Sequence, residues 1–344
     1  KGQTEFEIRQ NGTLLGAREK ADLAGGILRA MTLTDQFAPT VLLVGHGSST
    51  RNNPHAAGLD CGACGGQTGS VNVRVLAGIL NDKDVRAALA EQGISIPSET
   101  RFVGALHNTT TDEVDCAGDV PEEIRNFLAN AGAQARRERA IRLGIANEND
   151  VDSAIKKRSQ DWSEVRPEWG LAGNASFIVA PRAATRHLDL GGRSFLHDYR
   201  WREDEGFNIL ELIMTAPMVV THWINLQYFM SVTDNLHYGS GNKVLHNVVG
   251  GHIGVFEGNG GDLRIGLPLQ SVHDGERWVH EPLRLSVYLA APKEAIAEIA
   301  QKHKVVQELI DNDWLYLFRI DDEQTSIERF YQNQWQAVAG QPNV

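Results

Sequence analysis

The sequence predicts an α/β fold, in which a mostly parallel sheet flanked by helices is joined to an added α+β region. Apolar runs without polar alternation, at residues 41–44 and 100–107, are typical of strands buried on both faces. Apolar positions at helical spacing in residues 71–80 and 81–92 predict two helices between these strands. This alternation of strand, helix and strand indicates a parallel, doubly wound sheet.

Further elements follow on both sides of this pattern. A helix is predicted at 19–31, and a long charged helix at 121–144, with Pro121 in its first turn. Within the charged helix, Arg136-Arg137-Glu138-Arg139 is expected to form a solvated face. A polar helix at 150–163 and a strand at 175–181 come next.

Residues 208–230 are nearly all apolar, and they are long enough to suggest a membrane span. Glu211, Pro217 and His222 interrupt the run, which favours two helices broken near Pro217. Buried helices, a surface that docks on a membrane partner, and a true span all remain open.

The rest of the chain predicts a glycine-rich segment at 242–271, a strand at 283–289, an amphipathic helix at 293–311 and a strand at 314–320. We therefore predict two domains. Residues 1–185 form an α/β core that carries half of a metal site. Residues 186–344 form a helical and glycine-rich α+β region that completes the sheet and offers a candidate partner surface.

Composition narrows the class of protein. A chain of 344 residues, with 42% hydrophobic and 22% charged residues, is typical of a soluble protein of about two domains. The net charge of −11 argues against a nucleic-acid partner, because phosphate binding favours a basic face. Three cysteines are too few for a disulfide framework and favour a reducing compartment.

A candidate metal site lies in the loop after the first apolar run. His46 stands between two glycines at the end of the predicted strand, and Cys61 follows fifteen positions later in Cys-Gly-Ala-Cys-Gly-Gly. In open α/β sheets, ligands bind at the carboxyl ends of the strands. A neutral imidazole and a thiolate suit zinc, so the loop resembles half of a zinc site.

Other interpretations of this loop stay open. Cys61 and Cys64 are also compatible with small buried thiols in a tight turn, or with a redox dithiol. Asp60 is expected either to orient a ligand through a hydrogen bond or to lie in an exposed turn. His107, which ends the neighbouring predicted strand, is expected either in the same crevice or in the core.

Long motifs in the chain resemble the DabA family. They are His-Gly-Ser-Ser-Thr-Arg-Asn-Asn-Pro-His from residue 46, Leu-Asp-Cys-Gly-Ala-Cys-Gly-Gly-Gln-Thr-Gly from residue 59, and Ala-Leu-His-Asn-Thr-Thr-Thr-Asp-Glu from residue 105. Residues 193–200, 221–228 and 234–241 look like the same family. The resemblance covers nearly the whole chain.

This resemblance implies a function and a location. DabA proteins are peripheral, zinc-containing subunits of bacterial inorganic-carbon uptake complexes, with a core similar to β-type carbonic anhydrases. Their partner is DabB, a membrane subunit similar to the proton-conducting subunits of respiratory complex I. For this chain we therefore expect a Zn²⁺ cofactor, carbon dioxide and bicarbonate as substrates, a DabB-like partner, and a peripheral location at the cytoplasmic face of the cell membrane.

The resemblance also implies residue roles. The family holds zinc through a Cys-x-Asp pair from an early strand and through a His and a Cys from a later loop, which His46 and Cys61 match. Cys64 then has a structural role. The family's Cys-x-Asp-x-Arg element, which carries its catalytic Asp and Arg, has no counterpart here, because Cys116 and Asp119 have a different spacing. The chain thus resembles the C-terminal part of a DabA protein, and we expect it to belong to a longer polypeptide.

Two other functions remain possible from the sequence. The first is a soluble zinc hydrolase or lyase with an unrelated substrate, because one fold hosts many chemistries. The second is a non-catalytic scaffold in which the glycine-rich loop is only structural.

Overall fold

A computed structural model describes residues 7–51, 59–60, 67–147, 149–164, 166–239, 266–321 and 326–338, and the backbone of 248–249 and 252–253. Its contacts divide the chain into two compact units, Lys1–Gly170 with Lys243–Leu263, and Leu171–Asn242 with Arg264–Val344. The domain boundary predicted at residue 185 stays a prediction.

The first unit is built on a sheet in the order β3-β4-β5. Strands β3 and β4 run parallel, and β5 is antiparallel to β4. The elements up to residue 170 are β1 (Arg9–Gln10), β2 (Thr13–Leu14), α1 (Ala17–Ala30), β3 (Thr40–Gly47), α2 (Ser70–Asn81), α3 (Lys83–Glu91), β4 (Arg101–Asn108), β5 (Glu113–Cys116), α4 (Glu122–Arg142) and α5 (Val151–Gln160).

The two apolar runs form adjacent strands with different surroundings. In β4, residues 102–105 are buried, as expected of a strand covered on both faces. In β3 only Leu43 of the predicted run is buried, and Val44 is 50% exposed. The prediction that this run is buried on both faces is therefore wrong for the described structure, because β3 is the outer strand of the described sheet and no described element covers Val44.

The second unit contains a six-stranded mixed sheet in the order β13-β12-β11-β10-β6-β7. Strands β7, β6, β10 and β11 run parallel, and β12 and β13 are antiparallel additions. The elements of this unit are β6 (Ser176–Ala180), β7 (Ser194–Asp198), α6 (Asn208–Thr215), α7 (Pro217–Thr233), β10 (Leu285–Leu289), α8 (Lys293–Lys302), α9 (Lys304–Asp311), β11 (Leu315–Ile320), β12 (Ile327–Tyr331) and β13 (Gln334–Ala337). Strands β8 (Val248–Val249) and β9 (His252–Ile253) belong to the first unit.

These two units confirm the predicted α/β class, although their sheets are mixed rather than uniformly parallel. The core of the second unit is formed by the inner faces of β10, α6 and α8, where Leu210, Val287 and Ile296 are fully buried.

The apolar block forms two helices, as predicted. Helix α6 ends at Thr215 and α7 begins at Pro217, and the backbone leaves the helical region at Ala216, with φ −123° and ψ −76°. Glu205–Thr233 is the one described stretch that is long and apolar enough to cross a membrane. Because 44% of its most apolar window is buried within the protein, packing explains part of this apolarity.

The single helix predicted at 293–311 is wrong. His303 adopts an extended conformation, with φ −113° and ψ 99°, and separates α8 from α9. Its ring nitrogen Nε2 lies 2.7 Å from Oε1 of Glu211, and the Lys302 ammonium lies 2.8 Å from the other oxygen. These two contacts accompany the break and tie the junction to α6.

Candidate functional site

His46 lies near the carboxyl end of β3, where its register partner in β4 is His107. Register partners in a sheet project to the same face, so the imidazoles of His46 and His107 lie side by side on one face of this sheet. The backbone N–H of Gly69 donates a 2.8 Å hydrogen bond to the His46 carbonyl oxygen. A Cβ added to Gly45 would lie 2.9 Å from the Gly69 carbonyl carbon, so glycine lets the start of α2 approach the end of β3.

The loop after His46 is tied back to the same strand end at two described points. Asp60 Oδ1 accepts hydrogen bonds from the backbone N–H of Ser48 at 2.7 Å and from its hydroxyl at 3.2 Å. A Cβ added to Gly47 would lie 2.8 Å from Cγ2 of Thr68, so residue 68 also packs here. Asp60 is thus a half-buried anchor rather than an exposed turn residue.

The other predicted members of this loop, Cys61 and Cys64, lie outside the described residues. The pairing of His46 with Cys61 therefore stays a prediction, as does the structural role of Cys64. Among the residues that the structure describes, no three His, Cys, Asp or Glu side chains are grouped to hold a metal ion. A tetrahedral zinc ion at His46 would therefore need at least two of its four ligands from outside this described part.

His107 belongs to a chain of polar contacts. Its Nε2 lies 3.0 Å from Oδ1 of Asp112, and Oδ2 of Asp112 lies 3.0 Å from Nη1 of Arg139. Nη2 of Arg139 lies 3.0 Å from Oε2 of Glu168, whose side chain is 1% exposed. Because the His107 side chain is 38% exposed, it is not the core histidine that was the alternative expectation.

Two arginines of α4 hold the loop after β4. Arg139 donates to the backbone carbonyls of Thr109 and Thr110, and Arg136 donates to that of Thr111 at 3.0 Å. Arg136 also forms a bidentate pair with Asp152, at 2.7 and 3.1 Å, which raises the pKa of Arg136 and lowers the pKa of Asp152. The predicted solvated face is therefore wrong for Arg136, which is 7% exposed, and for Arg139.

The spacing of residues along α4 indicates that Arg136 and Arg139 share a packed face. Gly132, Arg136 and Arg139 stand at i, i+4 and i+7, so they share one helix face. A Cβ added to Gly132 would clash with the Asp112 carbonyl oxygen, which shows that this face packs against the loop. Judging the segment by its charge alone hid this spacing.

The loops after β3 and β4 are joined by hydroxyl and amide groups. The backbone N–H of Ser49 donates to the Thr110 hydroxyl at 3.1 Å, and that hydroxyl donates to Oε1 of Glu168 at 2.9 Å. The Asn108 amide donates to the Ser49 hydroxyl at 2.9 Å. A polar cavity of about 480 Å³ opens beside these contacts, lined by Ser48, Ser49, Thr50, Arg51, Asp60, Asn108, Thr111, Glu113, Lys156, Ser159 and Gln160.

Comparison with known proteins identifies the family. The family model described as "Probable inorganic carbon transporter subunit DabA" matches residues 2–315. The chain belongs to the DabA family. A DabA subunit of Hydrogenovibrio crunogenus is 60% identical over 334 residues, 96% of this chain, and one of Marinomonas sp. is 58% identical over 344 residues, 97% of this chain.

The chain matches only part of the length of its relatives. A DabA subunit of Chloroflexus aggregans is 57% identical over 347 residues, 96% of this chain. The chain spans 40–42% of the length of these DabA relatives, so it corresponds to one part of them. No solved structure matches the chain. The resemblance to DabA proteins is thus confirmed.

Proposed function

We propose that this chain forms part of a DabA subunit that takes up inorganic carbon, by zinc-dependent hydration of carbon dioxide at the cytoplasmic face of the membrane. Family membership supports the transport role, because the curated relatives are described as probable inorganic carbon transporter subunits. The hydration chemistry, the zinc ion and the location are proposed from the resemblance to the DabA family.

The observation that carries the zinc proposal is the anchoring of Asp60 at Ser48. Asp60 directly precedes Cys61 in the sequence, and Ser48 is two residues after His46. Consecutive Cα atoms are about 3.8 Å apart, so this hydrogen bond brings the sequence neighbours of both predicted ligands together. An imidazole and a thiolate from these positions fit the ligand chemistry of zinc.

The chain's own residues have distinct tasks in this proposal. When bound, zinc supplies hydroxide near neutral pH, because it lowers the pKa of water to about 7. His46 and Cys61 would hold the ion, while the Gly45–Gly69 contact fixes the end of β3. Asp60 closes the loop, and Asp112 orients the neighbouring His107 ring. The acid–base residues stay unassigned, since the family's Asp and Arg have no counterpart in this sequence.

Uptake against a gradient needs an energy source, which we assign to a DabB-like membrane subunit that conducts protons. The candidate contact is the outer face of α6 and α7, where Leu212 is 44% and Trp223 is 61% exposed. Helix α7 carries no Asp, Glu, Lys or Arg over its 17 residues. Exposed apolar surface with a central tryptophan is characteristic of protein interfaces.

Zinc analysis of a full-length DabA protein that carries this sequence tests the proposal. We expect stoichiometric zinc in the parent, and its loss in His46→Ala and in Cys61→Ser. The exposed His187 provides a control, since His187→Ala removes an imidazole elsewhere and should keep zinc. A parent without zinc would support the scaffold hypothesis. Activity on esters, with none on carbon dioxide, would support the hydrolase hypothesis.

A further inference from the structure

The hydroxyl group of Thr110 links the loop after β3 to Glu168. Oγ1 of Thr110 accepts a hydrogen bond from the backbone N–H of Ser49 and donates one to Oε1 of Glu168. Ser49 follows His46 by three residues, so this contact acts on the segment that leaves the candidate ligand. Thr110 itself is fully buried, with an exposure of 0%.

The partner of this hydroxyl is held firmly. The Glu168 carboxylate accepts from the Thr109 hydroxyl at 3.0 Å and from Thr110 at 2.9 Å, and it pairs with Arg139 at 3.0 Å. A buried carboxylate is stable only when it is paired and hydrogen-bonded in this way. The direction of the Thr110 hydroxyl follows from its two contacts, because the Ser49 N–H can only donate and the Thr110 hydrogen is then left to donate to Oε1 of Glu168.

With its hydrogen committed to Glu168, Thr110 presents a lone pair to Ser49. The backbone N–H of Ser49 donates to this oxygen of Thr110, and the backbone N–H of Ser48 donates to Oδ1 of Asp60. Two consecutive backbone amides after Gly47 are thus fixed by side chains from two different loops. The backbone of residues 47–49 has little freedom to carry His46 away from its position.

We propose that Thr110, oriented by Glu168 and Arg139, is a positioning residue for the metal site at His46. This inference rests on the proposed zinc function, and it assigns to the loop after β4 the task of setting the geometry of the loop after β3. Groups that orient metal ligands change affinity although they never touch the ion. Thr110 does not bond to His46 itself. It acts through its hydrogen bond with the backbone N–H of Ser49, three residues after His46.

Two Thr110 variants test the role of the oxygen atom. Thr110→Val keeps the shape and removes the hydroxyl, whereas Thr110→Ser keeps the hydroxyl and removes only a methyl group. Glu168→Gln tests the orienting partner. Glu164→Gln is the matched control, because the Glu164 carboxylate is 17% exposed and is also paired with an arginine, Arg158 at 3.1 Å, but it does not contact either loop in the described structure.

The first measurement is hydrogen exchange of residues 44–51 in the full-length protein. We expect exchange to be about 10-fold faster or more in Thr110→Val and Glu168→Gln, because the Ser49 amide loses a fixed acceptor. Thr110→Ser should restore the parental rate, and Glu164→Gln should leave it unchanged. An unchanged rate in Thr110→Val, or an equal increase in Glu164→Gln, overturns the proposal.

The second measurement is zinc affinity by competition with a chelator. Thr110→Val should bind zinc roughly 3- to 10-fold more weakly, below the range of about 10- to 100-fold seen for groups bonded directly to ligands. Parental affinity in Thr110→Val, despite faster exchange, shows a merely structural contact and overturns the proposal. A parent that holds no zinc refutes the zinc function itself, a result that hydrogen exchange tells apart from failure of the Thr110 contact.

Discussion

The carboxylate of Asp60 accepts a 2.7 Å hydrogen bond from the backbone N–H of Ser48. The bond closes a loop of the chain onto the strand end that carries His46. Hydrogen bonds to an ionised acceptor contribute about 1.5–3 kcal/mol, more than bonds between neutral groups. The geometry of this strand end therefore depends on a side chain twelve positions away.

Replacing Asp60 should weaken zinc binding without removing a predicted ligand. In Asp60→Ala the Ser48 amide loses its acceptor, and we expect zinc affinity to fall about 10-fold. Asp60→Asn keeps a neutral acceptor oxygen and should give a smaller loss. Chelator competition on the full-length protein measures both variants. Zinc affinity equal to that of the parent in Asp60→Ala would exclude this role.

The close approach of β3 and α2 predicts a large effect of one methyl group. Gly45→Ala would place a Cβ 2.9 Å from backbone atoms of Gly69, which cannot move aside as a flexible side chain can. We expect the free energy of unfolding to fall by about 1–3 kcal/mol. Urea denaturation measures the change.

Gly26 is the matched control for that substitution. It lies within α1, and a Cβ added there would have no atom within 4 Å. Gly26→Ala should therefore raise the free energy of unfolding by about 0.5–1 kcal/mol, because alanine favours the helix over the unfolded chain. Equal effects of the two substitutions would contradict the close-packing argument.

The second unit should lose stability in mild acid because of two buried histidines. Burial lowers the pKa of His222 from 6.5 to about 4, with a smaller effect of Arg284 in the same direction. Burial likewise lowers the pKa of His280 to about 4; nearby Arg193 lowers it further and Glu281 opposes this. Nδ1 of His222 is buried without a partner in the described structure, and Nδ1 of His280 faces the donating backbone N–H of Gly173, so a protonated ring at either position would hold a proton with no acceptor.

The sign follows from the folded-state values. Both pKa values lie below that of the unfolded chain, so the stability is fully present above pH 6.5 and is lost as the pH falls towards 4. Between pH 7 and 5 each histidine should cost about 1–2 kcal/mol. Urea denaturation at several pH values should show a smaller loss in His222→Gln. The exposed control His187→Gln should keep the parental pH dependence, and a parental profile in His222→Gln would refute this assignment.

The exposed apolar side chains of α6 and α7 should be required for binding to the proposed DabB-like membrane subunit. Changing Leu212 and Trp223 together to Ser removes the apolar contact without touching the core, since both side chains face solvent. We expect co-purification of a DabB-like subunit to be lost. Leu188, which is 59% exposed in the same unit, offers the control Leu188→Ser. Retained co-purification of the double variant would place the contact elsewhere.

The sequence predicts this block only in part. Pro217 predicts the break between the two helices, because proline fits a first helical turn and not an interior. Which side of α7 faces the core was not predictable. The helix is apolar nearly all round, so the periodicity of its sequence does not distinguish a buried side from an exposed one. Met218 is fully buried and Trp223 is exposed, although both are large and apolar.

The position of His46 in the candidate site was predictable from the sequence, whereas the pairing of Arg139 with Glu168 beside it was not. An imidazole between glycines at the end of an apolar run places His46 at the carboxyl end of β3, as found. Arg139 and Glu168 are far apart in the sequence, and their pairing depends on how α4 packs on the loop. The shared helix face of Arg136 and Arg139 indicates that they pack against the protein, but no local pattern indicates that Glu168 is the partner. Cys61 remains beyond what the described residues test.

The burial of Glu168 also determines how its contacts with Thr110 and Arg139 respond to salt. Surface pairs such as Arg18 with Glu91, both more than half exposed, weaken as mobile ions screen them over a Debye length of about 8 Å at physiological strength. The Glu168 side chain is 1% exposed, so dissolved ions screen its contacts much less. Raising the ionic strength should weaken surface ion pairs such as Arg18–Glu91 well before it weakens the contacts of Glu168 with the loop after β4.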